Sequence, residues 1–289
     1  MIRDYFFDCS SDTRIGYCRY GVNNGLPAFF FHGLPGSRRE GRLIEQACID
    51  NNINLIAPDR FGYGISSQTN KNRYTAWVEC VERLADHLKF ENFYLVAVSG
   101  GVPYALACAS LLKQRVIATS VCGGLASVAV EMNRKAMAGY EQLAFTLARK
   151  HPLLFITSYG LLTSIPSRLL PSQIVRLLGL VNGEPDKTVL SDEAIRRKFA
   201  DNIKHAYAQY WHGGMADLIA ATESWPFELN DIKNLHIWHG DEDPVVPPPH
   251  SLWLHDQVAG SYLTMVEGEG HFSLPLRYAD QIIKSLFLE

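Results

Sequence analysis

One stretch limits what this chain can fold into more than any other: Phe93-Tyr94-Leu95-Val96-Ala97-Val98-Ser99-Gly100-Gly101-Val102-Pro103-Tyr104. A β-prone apolar run meets a serine and two glycines, then an apolar run of helical character reaching Leu112. That order puts Ser99 on a sharp strand-to-helix turn, in a strained backbone conformation with its hydroxyl exposed, which is how a nucleophile elbow reads. Such a turn brings strand and helix so close that the residues two before and two after the serine must be small. Here they are Ala97 and Gly101. The common form is G-x-S-x-G, and this chain has alanine at the first position. Gly100 opens the helix, so its N–H can point at a developing negative charge. Taken alone, the stretch also fits an ordinary Ser-Gly-Gly turn, and the rest of the chain has to decide.

Around it, apolar strands alternate with helices. Residues 2–8 and 14–20 are β-leaning, and 27–31 and 53–57 read as buried strands. Residues 39–50 and about 75–88 suit helices, the second with Trp77, Val81, Leu84 and Leu88 on one face. A further strand is expected at 116–122. This rhythm predicts an α/β fold whose mostly parallel sheet carries helices on both faces. From 126 to 226 the rhythm changes: there is no clear strand, only apolar residues at helical spacing punctuated by Pro152, Pro166, Pro171, Pro185 and Pro226. Met132, Ala136, Tyr140, Leu143 and Leu147 form one such stripe. Strands return at 235–238 and 262–266. The expected organisation is therefore a core domain of 1–125 and 227–289 with an inserted all-helical cap at 126–226. A chain of 289 residues is long enough for that arrangement.

Composition excludes more than it suggests. A formal net charge of −3 gives no reason to expect nucleic acid or an anionic membrane as partner. The six cysteines, Cys9, Cys18, Cys48, Cys80, Cys108 and Cys122, form no C-x-x-C pair and read as buried free thiols. The first residues carry no apolar secretory core, and no apolar run approaches membrane-spanning length. The expectation is a cytoplasmic protein acting on a small molecule.

Two loops after predicted strands hold what an active serine needs. A serine hydroxyl is a weak nucleophile near pH 7 and needs a histidine to take its proton and a carboxylate to orient that histidine. The loop from His239 to Pro247 offers Asp241 and Asp243, and the loop from Glu267 to Phe272 offers His271. With H-G-x-P-G at 32–36, D-R-x-G-x-G-x-S at 59–66, H-G-x-x-D-x-x-V-P at 239–247 and G-H at 270–271, the chain resembles the α/β-hydrolase family over nearly its whole length. The resemblance implies Ser99 as nucleophile, His271 as general base and then acid, and Asp243 as the orienting carboxylate. It implies backbone N–H groups of Leu34 and Gly100 as the oxyanion hole, and no metal or cofactor.

The same resemblance implies ester hydrolysis through an acyl-enzyme, on a small or medium apolar ester. Amide or iminopeptide cleavage, C–C bond hydrolysis, and a ligand-binding receptor with vestigial hydrolysis remain open beside it. His32, His239 and Ser66 are expected to stabilise loops, and so are Asp59 and Arg60, although that pair could also contact substrate. His87, His205, His212, His250 and His255 read as surface or hydrogen-bonded residues. In the insertion, Met132, Tyr140, Phe155, Tyr159, Phe199, Tyr207, Tyr210 and Trp211 are candidates to line a pocket. The insertion supplies no reacting group, so it is expected only to shape that pocket and exclude water.

Overall fold

Eight strands form one sheet: β1 Tyr5–Asp8, β2 Arg14–Gly21, β3 Leu26–Phe31, β4 Ile53–Pro58, β5 Phe93–Val98, β6 Val116–Cys122, β7 Leu235–Gly240 and β8 Tyr262–Val266. This computed structural model describes residues 3–288, the side chain of Tyr159 excepted; residue 2 of the expected first strand lies outside them. The spatial order is β1-β2-β4-β3-β5-β6-β7-β8. β1 and β2 pair antiparallel, β2 pairs antiparallel with β4, and the remaining pairs are parallel.

Side-chain alternation divides the core into two layers, as a sheet buried on both faces requires. Phe29, Phe31, Leu95 and Ala97 face one apolar cluster; Ala28, Phe30, Leu55 and Val96 face the other. Helices α2 (Arg73–His87) and α3 (Val102–Leu111) cover the first layer. The segment expected as one helix over 39–50 is a 3-10 turn, Glu40–Ile44, running into α1, Glu45–Asp50, and α1 covers the second layer.

The stretch from 126 to 226 contains no strand among the described residues. It holds α4 Glu131–Ala136, α5 Gly139–Lys150, α6 Pro152–Phe155, α7 Leu161–Leu169, α8 Pro171–Val181, α9 Glu184–Ser191, α10 Glu193–Ala206 and α11 His212–Ala221. Proline acts here in two ways. Pro152, Pro171 and Pro185 sit in the first turn of α6, α8 and α9, where no intrahelical N–H bond is lost. Pro166 lies inside α7 and does not break it. The stripe from Met132 to Leu147 is shared by two helices, because Met137 and Ala138 are extended. Beyond β7 come α12 Pro249–Gln257, α13 Ser273–Arg277 and α14 Ala279–Lys284.

This topology brings the loops together. β3 lies between β4 and β5, so the chain leaves β3 to one side and later returns on the other. The loops after β3 and β5 meet at that reversal, where open parallel sheets bind ligands. Register pairs Phe31 with Ala97, which sets Ser99 beside the His32–Gly36 loop.

Candidate active site

Ser99 follows the last residue of β5 with φ of +51°, the left-handed region that a non-glycine residue occupies under constraint. The constraint is visible around it. A Cβ on Gly101 would lie 2.3 Å from the Phe31 carbonyl oxygen, so α3 can pass this close to β3 only with glycine there. Ala97 is fully buried, and a Cβ on Gly33 would lie 3.5 Å from that of Ser99. At Gly101 the smallness that the sequence demanded is therefore set by backbone contact.

The Ser99 hydroxyl lies 3.0 Å from Nε2 of His271, and Nδ1 of His271 lies 2.7 Å from Oδ2 of Asp243. An ionised carboxylate only accepts, so Nδ1 carries the proton and Nε2 is left to accept from Ser99. The other Asp243 oxygen accepts the N–H groups of Val245 and Val246, each at 2.9 Å, which fixes the carboxylate. Asp241, the rival two residues away, is exposed and accepts N–H from Gly268 at 2.8 Å. It thus ties its loop to the His271 loop instead of closing its own turn. A Cβ on Gly123, at the end of β6, would sit 3.3 Å from both Asp243 Oδ2 and His271 Nδ1. This glycine leaves the pair its space.

The loop after β3 lies on the other side of Ser99. A Cβ on Gly100 would come within 3.3 Å of the Leu34 nitrogen, so the two backbone groups expected as oxyanion donors are neighbours. His32 is fully buried; it accepts the Arg60 N–H at Nε2, 3.0 Å away, and its Nδ1 lies 2.9 Å from Gly33 O. Arg60 donates to the carbonyl oxygens of His32 and Gly33. Asp59 holds Arg38 and the Ile65 N–H, and Ser66 bridges the Asp59 carbonyl and the Gly16 N–H. All four residues secure loops, as their sequence positions suggested. His239 does the same between Ser251 and the Val246 carbonyl. His250 accepts the Ala126 N–H, His255 meets Ser261, His212 meets the Gln209 carbonyl, His205 lies beside Asp201, and His87 packs on Phe7.

Three carboxylates were missed from sequence. Asp186, at the start of α9, accepts the N–H groups of His271 at 3.2 Å, Phe272 at 2.9 Å and Ser273 at 2.8 Å. Asp217, in α11, is buried and holds Arg60 at 2.8 Å and Arg73 at 2.6 Å, with Tyr63 and Tyr104 also donating to it. Glu40 accepts the Gly33 N–H at 3.0 Å and lines the cavity over Ser99. The helices of 126–226 therefore do more than enclose space: Asp186 holds the loop that carries His271, and Asp217 holds Arg60, which bonds the His32 and Gly33 carbonyl oxygens. Asp217 had a signal, a lone acid in an apolar helix. Asp186 had none, because an acid in a first helical turn is ordinary.

Burial would push the His271 imidazole down, but the charge and hydrogen bond of Asp243, with Asp186 and Glu40, hold it above the usual value. Burial pushes Glu40 up to about 7 and Glu141 up to about 7. Burial opposes ionisation of Asp217, yet Arg60 and Arg73 hold it well below the usual carboxylate range. Among the described residues no cluster of His, Cys, Asp and Glu is arranged to hold a metal ion. All six cysteines are buried free thiols.

Above Ser99 lies a cavity of about 860 Å³ between the sheet and the helices of 126–226. Its wall is mainly apolar, with Leu43, Leu125, Met137, Phe145 and Leu178 beside Ser99 and His271. Of the insertion residues singled out from sequence, Tyr140, Phe199 and Tyr207 line it. Met132 is exposed, Phe155 is buried among other helices, and Tyr210 and Trp211 pack against each other, all away from the cavity. The Tyr159 side chain lies outside the described residues.

Known proteins share this fold. The chain is 25% identical over 266 residues to the 2-hydroxymuconate semialdehyde hydrolase of Pseudomonas sp. (strain CF600), covering 86% of this chain and 81% of that protein. Among solved structures, an esterase from Exiguobacterium antarcticum superposes with a TM-score of 0.70 at 18% identity, covering 98% of this chain and 99% of its own. A bromoperoxidase from Bacillus anthracis gives 0.69 at 18% identity, covering 99% of each chain. A family model described as alpha/beta hydrolase fold matches residues 29–278, and the chain belongs to that family.

Proposed function

We propose that this hydrolase cleaves a small or medium, mostly apolar carboxylic ester through an acyl-enzyme on Ser99. The observation carrying the proposal is the hydrogen-bonded chain Asp243–His271–Ser99, at 2.7 and 3.0 Å, ending on a strained serine under an apolar cavity. The Ser99 oxygen attacks the ester carbonyl carbon as its proton passes to Nε2 of His271. The resulting oxyanion is held by the N–H groups of Leu34 and Gly100. As it collapses, the C–O bond breaks and the departing alkoxide takes the proton from His271. Water then attacks the acyl-enzyme, again losing its proton to His271, and the acid leaves as Ser99 is reprotonated. Asp243 stays ionised throughout. The helices of 126–226 act as a cap that excludes water, and apolar residues such as Met137, Phe145 and Phe199 set the preferred acyl size.

A second reading is favoured by one finding: the relative matched over most of both chains is a 2-hydroxymuconate semialdehyde hydrolase. The same serine set would there serve C–C bond hydrolysis. The test is turnover by wild type and Ser99→Ala on a graded series of p-nitrophenyl acyl esters and on 2-hydroxymuconate semialdehyde. Ser99-dependent ester turnover with an optimum in acyl length supports the first reading. Turnover of the semialdehyde alone transfers the proposal to the second. No Ser99-dependent turnover on either refutes both.

A further inference from the structure

Helix α7 is inside out. Ser164 and Ser167 are buried, while Leu161, Leu162, Ile165 and Leu169 share the outward face, with Leu162 72% and Leu169 73% exposed. A soluble helix ordinarily shows the reverse. Helix α8 buries Val175 and Gly179 but also leaves Leu177, Leu180 and Val181 exposed. Leu153, in α6, is 78% exposed. Large contiguous apolar surfaces on soluble chains mark contact sites. Charge indicates the partner: between Glu141 and Glu184 there is no acidic residue, while Arg149, Lys150, Arg168 and Arg176 all fall there. Arg149, Lys150 and Arg176 are exposed, and Arg176 adjoins Leu177 and Leu180 on α8.

We infer that α6–α8 form a face that seats on an anionic lipid surface, leucines in the acyl boundary and arginines and lysine at the headgroups. A second copy of the chain fits less well, because a face-to-face pair would oppose like charges. The segments Pro152–Leu169 and Pro171–Val181 bend by 117° to one another, and no single helix among the described residues is long and apolar enough to cross a membrane. Helices lying in the headgroup plane accommodate such a bend. The cavity opens toward the same face: Tyr140, Leu162, Leu177 and Val181 line it and are also exposed. A net charge of −3 over the whole chain conceals this local excess of positive charge.

The test is co-sedimentation with vesicles of mixed phosphatidylglycerol and phosphatidylcholine against phosphatidylcholine alone, at low and high salt, with light scattering for oligomeric state. Leu153 and Leu169 lie outside the cavity wall, so Leu153→Ser/Leu169→Ser and Arg176→Glu should retain the wild-type melting curve. Wild type should pellet with the anionic vesicles and be released by salt. Each variant should bind about tenfold more weakly or worse. Equal, salt-insensitive pelleting with both vesicles would overturn the proposal. So would a monomer that ignores both, or a dimer that Leu153→Ser/Leu169→Ser dissociates while wild type ignores vesicles. Vesicle binding reads nothing about bond cleavage, so its failure leaves the hydrolytic reading standing.

Discussion

Replacing Asp186 by asparagine tests whether the insertion tunes the histidine or only holds its loop. The carboxylate accepts three successive N–H groups, beginning with that of His271 itself at 3.2 Å. Burial raises the Asp186 carboxyl above its usual value although those donors favour the ionised form, and its charge helps to raise the imidazole. Asp186 follows Asp243 among the charges that raise the imidazole, ahead of Glu40. As base, His271 must be neutral, so the rate falls as pH drops through its pKa. Removing a nearby negative charge lowers that pKa, and the acid limb of kcat/KM should move to lower pH. Asparagine keeps one oxygen for Phe272 and Ser273 but turns its NH₂ toward the His271 N–H, a loss of about 1.5–3 kcal/mol in stability. The assay is the pH profile of ester hydrolysis between about pH 5 and pH 9. Asp243, Glu40, Glu141 and His239 also face His271, and Glu40 titrates near 7. The comparison is therefore repeated in a Glu40→Gln background. A lower rate with an unmoved acid limb in both backgrounds would refute the electrostatic role and leave only loop support.

The other predictions concern the remaining carboxylates. Asp243→Asn should lower kcat by roughly 10³- to 10⁴-fold by presenting the wrong histidine tautomer. Asp241→Asn should cost about tenfold or less in the same steady-state assay; the opposite ranking in folded proteins would make Asp241 the orienting acid. Asp217→Asn strips the carboxylate from two buried guanidinium groups and should destabilise the fold by about 3–5 kcal/mol in denaturant titration. Glu40 is raised on folding, so the folded state binds its proton more tightly. Its contribution to stability is lost as pH rises from the ordinary glutamate range through about 7. Glu40→Gln should therefore flatten the stability curve in that window by up to about 3 kcal/mol, measured by urea midpoints across pH.

How much was legible depended on whether the constraint was local. Ser99 could be found because the turn that strains it also demands small neighbours, and Ala97 and Gly101 record that demand in the sequence. Strand ends with loops of fixed composition located His271 and Asp243, since a parallel sheet brings such ends together without further information. The choice of Asp243 over Asp241 rested on the family pattern H-G-x-x-D; its physical reason, the two N–H bonds from Val245 and Val246 that orient the carboxylate, is seen only in the structure. Asp186 left no trace, and Asp217 only a lone acid in an apolar helix, for the opposite reason. Each acts on a loop far away in sequence, and neither changes its own helix. Pro166 was read as a break because a proline removes one backbone bond, yet α7 tolerates it. The outward leucines of α7 fall at helical spacing, which fixes the period of a stripe and not the side it faces.

The central claim is that Ser99 is the activated nucleophile, and covalent labelling reads that directly. Wild type and Ser99→Ala are treated with a fluorophosphonate probe, and the adduct is located by intact mass and peptide mapping. The geometry predicts a single adduct on Ser99 in wild type and none in the variant. An adduct on another residue of a folded protein, with Ser99 unmodified, would contradict the account.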